Sequence, residues 1–346
     1  MKIAQVAPLY ESVPPKYYGG TERVVSYLTE ELVNMGHDVT LFASGDSETK
    51  AKLISPVSGS LRLDRSKDPI IYHTLLLEKV LQNIESFDIV HFHIDCMHFP
   101  LVRRCGAAHV TTLHGRLDLP DLLSLYKEFY ELPVVSISNS QREPLPKLNY
   151  QGTVYHGLPK DLYNFNETGG KYLAFLGRIS PEKRPDRAIK IARKAGIKLK
   201  IAAKVDKIDK EYFNTEIKPL LKDPKIEFIG EIGEKEKGKF LGNALALLFP
   251  IDWLEPFGLV MIEAFACGTP VIAYRCGSVP EIVDDTVTGF IVDDIKSAVK
   301  AVGNIEKIDR RMCRKVFENR FSVSLMAKNY LKIYNNIIWK YAVAAV

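Results

Sequence analysis

Two segments carry the side chains best suited to an anionic, hydroxyl-bearing ligand. In the first, Gly177-Arg178 is followed by Ile179-Ser180-Pro181-Glu182-Lys183-Arg184-Pro185. The apolar run Tyr172–Leu176 leads into it, so Arg178 ends a strand and Lys183 lies near a helix start five residues on. Two cations in that position can neutralise a diphosphate, Arg through paired N–H groups and Lys as a compact charge. The need is greatest when the diphosphate leaves, because negative charge then builds on its bridging oxygen. A solvated basic loop is the competing reading for either residue by itself.

The second segment is Glu255-Pro256-Phe257-Gly258-Leu259-Val260-Met261-Ile262-Glu263. Pro suits a first helical position, so this spacing predicts Glu255 at a helix entrance and Glu263 about two turns inside. At about 1.5 Å per residue the carboxylates would be about 12 Å apart. That exceeds the roughly 5–5.5 Å of a retaining hydrolase and the inverting range as well. It suits two carboxylates that accept from hydroxyls at the two ends of a nucleoside-diphosphate sugar, one on the sugar and one on the ribose. Dipole complementation also explains an acid at a helix start. Glu263, however, falls in an apolar helix, where a carboxylate is costly without a partner.

Two further places draw notice. Gly19-Gly20-Thr21 closes a long loop before an amphipathic stretch, and a helix N-terminus approached through glycines favours a phosphate. A plain turn with Thr21 as N-cap reads equally well there. Five of the eight histidines lie between residues 91 and 114. His91, His93 and Asp95 share one strand face, and H-x-H-x-D raises a metal-dependent hydrolase as a rival. The next histidine, His98, is three residues past Asp95, and helix-covered strands are the wrong setting for that β-rich class. His114, in Thr112-Leu113-His114-Gly115, ends a β-type run, the place from which ligand-facing groups project. A hydrogen-bonded structural histidine is the alternative.

These residues sit on an alternating β-α pattern. The first half has strand-like runs at Lys2–Ala7, Val39–Ala43, Asp88–His93, His109–Leu113 and Val134–Ser138, and a helical period over Thr21–Met35 that Gly36 stops. A polar stretch from Gly157 to Gly170 breaks the pattern. It restarts with Tyr172–Leu176, Leu199–Ala203, Ile226–Ile229, Leu245–Phe249, Val271–Tyr274 and Phe290–Val292, and one long helix follows from Ser322 to about Tyr341. This predicts an α/β chain of two doubly wound, Rossmann-like domains, residues 1–160 and 161–321, with ligands in the cleft between them.

Composition narrows the classes. The chain has 346 residues, 26% of them charged and 46% hydrophobic, as in a globular protein. The net charge of +5 is too small and scattered for nucleic-acid binding, but compatible with an anionic small ligand or peripheral contact with an anionic membrane. The basic cluster Arg310, Arg311, Arg314 and Lys315 reads as the solvated face of a helix. Five scattered cysteines without a C-x-x-C pair suggest free thiols. With no secretory pattern after Met1 and no membrane-length apolar window, a cytoplasmic location is expected.

Taken together, GGTERV at 19–24, TLHG at 112–115, GR and EK within 177–183, EPFGLVMIE at 255–263 and ACGTPVIA at 266–273 resemble the family-4 retaining glycosyltransferases of GT-B fold. The likeness extends over nearly the whole chain. It implies that Gly19 and Gly20 contact the donor phosphate, Arg178 and Lys183 neutralise the diphosphate, and Glu255 binds the transferred sugar, with the backbone of Phe257, Gly258 and Leu259 close by. It further implies that Glu263 binds the ribose, Gly230 to Ile232 pass near the base, and His114 sits beside the donor sugar. No obligatory metal or other cofactor is implied, and no protein nucleophile is evident. The final helix, about 322–346, should return to the first domain. The segments YGGTERVVSYLTEEL, SNSQREPLP and VYHGLP resemble a small-acceptor subgroup, such as tetrahydrobiopterin glucosyltransferases and antibiotic-tailoring transferases. Expected partners are a nucleotide-sugar donor, with UDP-glucose the first guess, and a small-molecule or saccharide hydroxyl acceptor. A nucleotide-sugar 2-epimerase of the same fold would carry further acid/base carboxylates and lacks this E-x7-E pattern.

Overall fold

The computed structural model describes residues 1–17, 19–62, 64 and 66–344. The chain parts into two compact units, Met1–Gly157 with the chain from Val323 onward, and Leu158–Ser322.

The first unit is built on seven strands: β1 (Lys2–Val6), β2 (Asp38–Phe42), β3 (Lys52–Ile54), β4 (Ile89–Phe92), β5 (His109–Thr112), β6 (Val134–Ser136) and β7 (Tyr150–Thr153). They form one parallel sheet in the order β3-β2-β1-β4-β5-β6-β7. β4 and β5 are buried at every position and β1 at all but Lys2, so both alternating sets of side chains are interior, the polar Gln5, His91, Thr111 and Thr112 among them. Two strands were not legible beforehand. β3 and β7 are three- and four-residue edge strands, mostly half-buried, and carry no clear periodicity. The helix Gly20–Asn34 follows β1 and ends before Gly36, as its period predicts.

The last helix, Val323–Ala344, belongs to this unit and packs on Gly20–Asn34, with Ser324 Oγ donating to Glu31 Oε1 at 2.5 Å. Its Tyr330 and Tyr334 are fully buried.

The second unit has six parallel strands, β8 (Tyr172–Arg178), β9 (Lys198–Lys204), β10 (Ile226–Gly230), β11 (Ala244–Phe249), β12 (Val271–Tyr274) and β13 (Gly289–Val292). Their order is β10-β9-β8-β11-β12-β13. All six were expected from apolar runs, and the chain is α/β with two Rossmann-like sheets.

The basic cluster behaves otherwise than expected. Within the helix Arg310–Arg320, Arg310 and Arg314 turn inward and staple the unit together. Arg310 donates to the Asn166, Ala244 and Gly242 carbonyls and to Thr269 Oγ1; Arg314 donates to the Lys160, Tyr163 and Ala266 carbonyls. Gly242 and Ala266 end helices, where unpaired carbonyls and the helix dipole favour a cation. A count of charges along the sequence cannot reveal such carbonyl partners.

Each sheet has a topological switch point where the strand order reverses, between β1 and β4 in the first unit and between β8 and β11 in the second. Ligands of open α/β sheets bind beyond the carboxyl ends of the strands at that point.

Candidate active site

In the second unit the two cation-bearing and carboxylate-bearing loops flank the β8/β11 switch point. β8 ends at Arg178, and the loop after it carries Lys183 into the helix Pro185–Ala195. Glu255 lies in the loop after β11. The backbone joins the two loops, since Asp252 N donates to Glu182 O at 2.8 Å. Lys183 Nζ is ion-paired with Glu255 Oε2 across 72 positions of sequence, and stands 4.7 Å from the ring centre of Trp253. Sequence spacing therefore located both members of the pair but missed Trp253, whose place beside Glu255 was the available signal. Arg178 is held by Glu182, with Asp209 at 3.6 Å and Asp206 at 3.9 Å. Burial lifts the Asp209 carboxyl above its usual range, against the pull of Arg178.

Glu255 does not start a helix. That helix runs Leu259–Ala266, and Gly258 is its N-cap at φ 80 in the left-handed region, so Glu255, Pro256 and Phe257 precede it in an irregular loop. Pro at a first helical position was the wrong local rule here: a left-handed residue after it breaks the helical path. The separation of Glu255 and Glu263 consequently does not follow from helix rise. The Phe257 side chain is buried against Phe321, which leaves only its main chain for a ligand. A second glycine shapes this loop. Gly277 has φ 55, and a Cβ there would lie 2.4 Å from Glu255 N. The next residue closes the turn, with Ser278 N donating to Glu255 O at 3.0 Å and Ser278 Oγ to Phe257 O at 2.8 Å.

Glu263, the fifth residue of its helix, is 3% exposed. Its expected partner exists: Lys237 Nζ lies 2.9 Å from Glu263 Oε1 and 3.6 Å from Glu234, which in turn accepts from Tyr163 Oη. Lys237 was not found from sequence because EKEKGK reads as a solvated helix face. It sits in the helix Glu234–Gly242, which begins two residues after Ile232. A cavity of about 530 Å³ between Leu162–Asn166 and this helix shares Glu234 and Tyr163 with that chain of bonds and holds none of the expected donor residues.

In the first unit, Gly19 is the N-cap of Gly20–Asn34 and no side chain caps the helix, so Thr21 does not play that part. The buried carboxylate of Glu22, in the first turn, accepts from its own backbone N–H, so part of that helix end is already taken. His93 follows β4 and His114 follows β5, on the side of the switch point next to the β1 loop. His114 Nε2 and His93 Nδ1 are 2.9 Å apart, and the His114 ring stacks on His156 at 5.3 Å. Burial holds His91, His93, His98 and His156 well below the usual imidazole range and lowers His114 to about 3. All are neutral near pH 7.

The rival metal centre is not assembled from His91, His93 and Asp95. Both nitrogens of His91 are engaged, by Tyr334 and Thr112, and both of His93, by His114 and Gln5. Asp95 is exposed at φ 53. Among the described residues no three His, Cys, Asp or Glu groups are placed to hold a metal ion.

Residues 163–319 match the family model for glycosyl transferases group 1, and residues 18–146 match that for glycosyltransferase family 4. An uncharacterized glycosyltransferase of Methanocaldococcus jannaschii is 25% identical over 351 residues, covering 95% of this chain and 98% of the relative. Among solved structures, a glycosyltransferase involved in avilamycin A biosynthesis shares the fold with a TM-score of 0.75 at 22% identity, over 98% of each chain. The Anabaena protein HepE, solved in complex with UDP-glucose, does so with a TM-score of 0.70 at 16% identity, over 97% of this chain and 100% of its own.

Proposed function

The chain belongs among the family-4 glycosyltransferases, and from that premise we propose that it transfers a hexose from a nucleoside-diphosphate sugar to a hydroxyl acceptor with retention of configuration. The carrying observation is the Lys183–Glu255 pair beside Arg178 at the β8/β11 switch point. It sets a sugar-binding carboxylate against a diphosphate-binding cation, with a second cation at the end of the central strand. In the reaction the bond from the sugar's anomeric carbon to the phosphate oxygen breaks, and a bond from that carbon to the acceptor oxygen forms on the same face. The acceptor proton passes to the departing phosphate. Arg178 and Lys183 hold the charge that develops on the diphosphate, an interaction stronger in the transition state than in the ground state. Glu255 takes hydroxyls of the transferred sugar and Glu263 those of the ribose. Gly230 and Ile232 flank the base, and the N–H groups after Gly19 and Gly20 take a phosphate oxygen. The main chain of Phe257, Gly258 and Leu259 lines the sugar and phosphate, and His114 accepts a sugar hydroxyl.

A UDP-sugar is the donor we favour, since a fold relative was solved with UDP-glucose. The five free cysteines fit a reducing cytoplasm. The deciding experiment is thermal-shift binding with UDP, GDP, ADP and their sugars, with and without EDTA. Stabilisation by one nucleoside diphosphate irrespective of EDTA supports the assignment. No shift with any nucleotide, together with destabilisation by EDTA, overturns it.

A further inference from the structure

A chain of hydrogen bonds runs through the interior of the first unit and ends at His114. Tyr330 Oη and Thr112 Oγ1 are 2.9 Å apart, Thr112 Oγ1 and His91 Nε2 2.7 Å, and His91 Nδ1 and Tyr334 Oη 2.7 Å. Gln5 Nε2 donates to Tyr334 Oη at 3.1 Å, and Gln5 Oε1 lies 2.8 Å from His93 Nε2. His93 Nδ1 then meets His114 Nε2 at 2.9 Å. The far nitrogen of that last ring, His114 Nδ1, is buried with no hydrogen-bond partner.

The parity of this chain fixes protons. A carbonyl oxygen has none to give, so the proton between Gln5 and His93 belongs to His93 Nε2. A neutral imidazole has one N–H, and burial keeps His93 neutral. Its Nδ1 is therefore a lone pair and must accept from His114 Nε2–H. His114, also neutral, is left with a bare Nδ1. The opposite parity would put an N–H on that buried, unpartnered atom, and orphaned buried N–H groups are the rarer defect.

We propose that Gln5 and His93 are positioning residues that lock His114 in its Nε2–H tautomer, so that Nδ1 accepts a hydroxyl proton of the sugar substrate and selects for a hydroxyl at that position. The tautomer lock stands by itself; the sugar-facing part rests on the reading of His114 given above. Tyr334 and Tyr330, from the final helix, anchor the far end of the same chain.

The test is two-bond ¹H–¹⁵N spectroscopy of the full chain carrying ring-¹⁵N histidine at pH 7.5, with His114 assigned by the loss of its signals in His114→Asn. The lock requires a protonated Nε2 and a bare Nδ1 in the ligand-free protein; a protonated Nδ1 overturns it. Gln5→Met keeps the volume and removes the acceptor, so the His114 signals should become a tautomer mixture and kcat/KM should fall about tenfold or more. Gln5→Glu restores an acceptor for His93 and should return the single-tautomer spectrum. If Gln5→Met melts as wild type and leaves the His114 pattern unchanged, Gln5 has no positioning role. Saturating UDP-glucose should then shift Nδ1, whereas UDP should not. If UDP-glucose stabilises the protein yet leaves Nδ1 unmoved, the sugar-facing role of His114 is lost while the tautomer assignment holds. If no nucleotide sugar binds, the donor reading itself has failed, independently of the ligand-free spectrum.

Discussion

Replacing Lys183 with alanine removes the cation paired with Glu255 and leaves the surrounding main chain in place. The side chains of the pair are 18% and 10% exposed, and the ammonium also sits 4.7 Å from the Trp253 ring. In the resting protein the loss strands Glu255, but partial solvation keeps the cost below the roughly 3–5 kcal/mol of breaking a fully buried pair. About 1–2 kcal/mol of stability is expected. The transition state loses more. A unit charge about 4 Å from the developing negative charge is worth about 4 kcal/mol at an effective dielectric of about 20. Removing a single preorganised donor costs about 2.7–4 kcal/mol in measured cases. At about 1.4 kcal/mol per decade, kcat should fall by roughly two to three orders of magnitude while KM moves little. Release of UDP from UDP-glucose, with water or a hydroxyl compound as acceptor, provides the assay, and the melting temperature is the control for folding. If kcat stays within about threefold of wild type in a folded variant, leaving-group stabilisation by Lys183 is refuted, and the pair is merely a strut.

Glu255→Gln frees Lys183 from its resident partner, so calorimetry should show tighter binding of free UDP while sugar transfer slows; weaker UDP binding would mean that Lys183 does not face the phosphates. Lys237→Met leaves the 3%-exposed Glu263 without its cation and should cost about 3 kcal/mol in urea unfolding. Adding Glu263→Gln should recover most of that loss, and failure to recover it would show the pair is not coupled. Folded-state values for His91, His93, His98, His114 and His156 lie far below the unfolded value near 6.5. The unfolded chain thus binds more protons below that pH, and stability present above it falls on acidification. Each should cost about 1 kcal/mol between pH 7 and 5.5, and a flat urea midpoint over that range would contradict their neutral burial.

What the sequence disclosed and what it hid divide on physical lines. Strands such as β2 and β11 were legible because they are largely buried and written mostly in apolar residues, as in VTLF and LALLF. The short edges β3 and β7 carry no such signal, since few of their side chains reach a core. The charged loops were legible through residue type, and Arg178 through its position at a strand end; Glu255 was expected at a helix entrance, and only the fold brings it to Lys183 at the β8/β11 switch point. The start of the helix at Leu259 was not legible, because it depends on a left-handed Gly258 and on the close passage of Gly277. That contact joins residues more than twenty apart. Partners such as Lys237 for Glu263 were hidden for the same reason: the type of side chain was visible, its neighbour across the fold was not.

The histidines show how far that limit reaches. Read along the chain, His91, His93 and Asp95 suggest a metal, because three potential ligands alternate along one strand. Read across the fold, the same imidazoles have spent their nitrogens on Thr112, Tyr334, Gln5 and His114. Two of the supporting hydroxyls come from the final helix, 243 positions from His91 in one case and 218 from Thr112 in the other. Buried imidazoles left without those hydroxyls would carry unmet polar atoms, so the polar interior of the first unit is satisfied only when the end of the chain has docked. The last helix therefore does more than cover apolar surface. It completes the bonding of the strands that hold His114, and so helps set the chemistry that residue can offer a ligand.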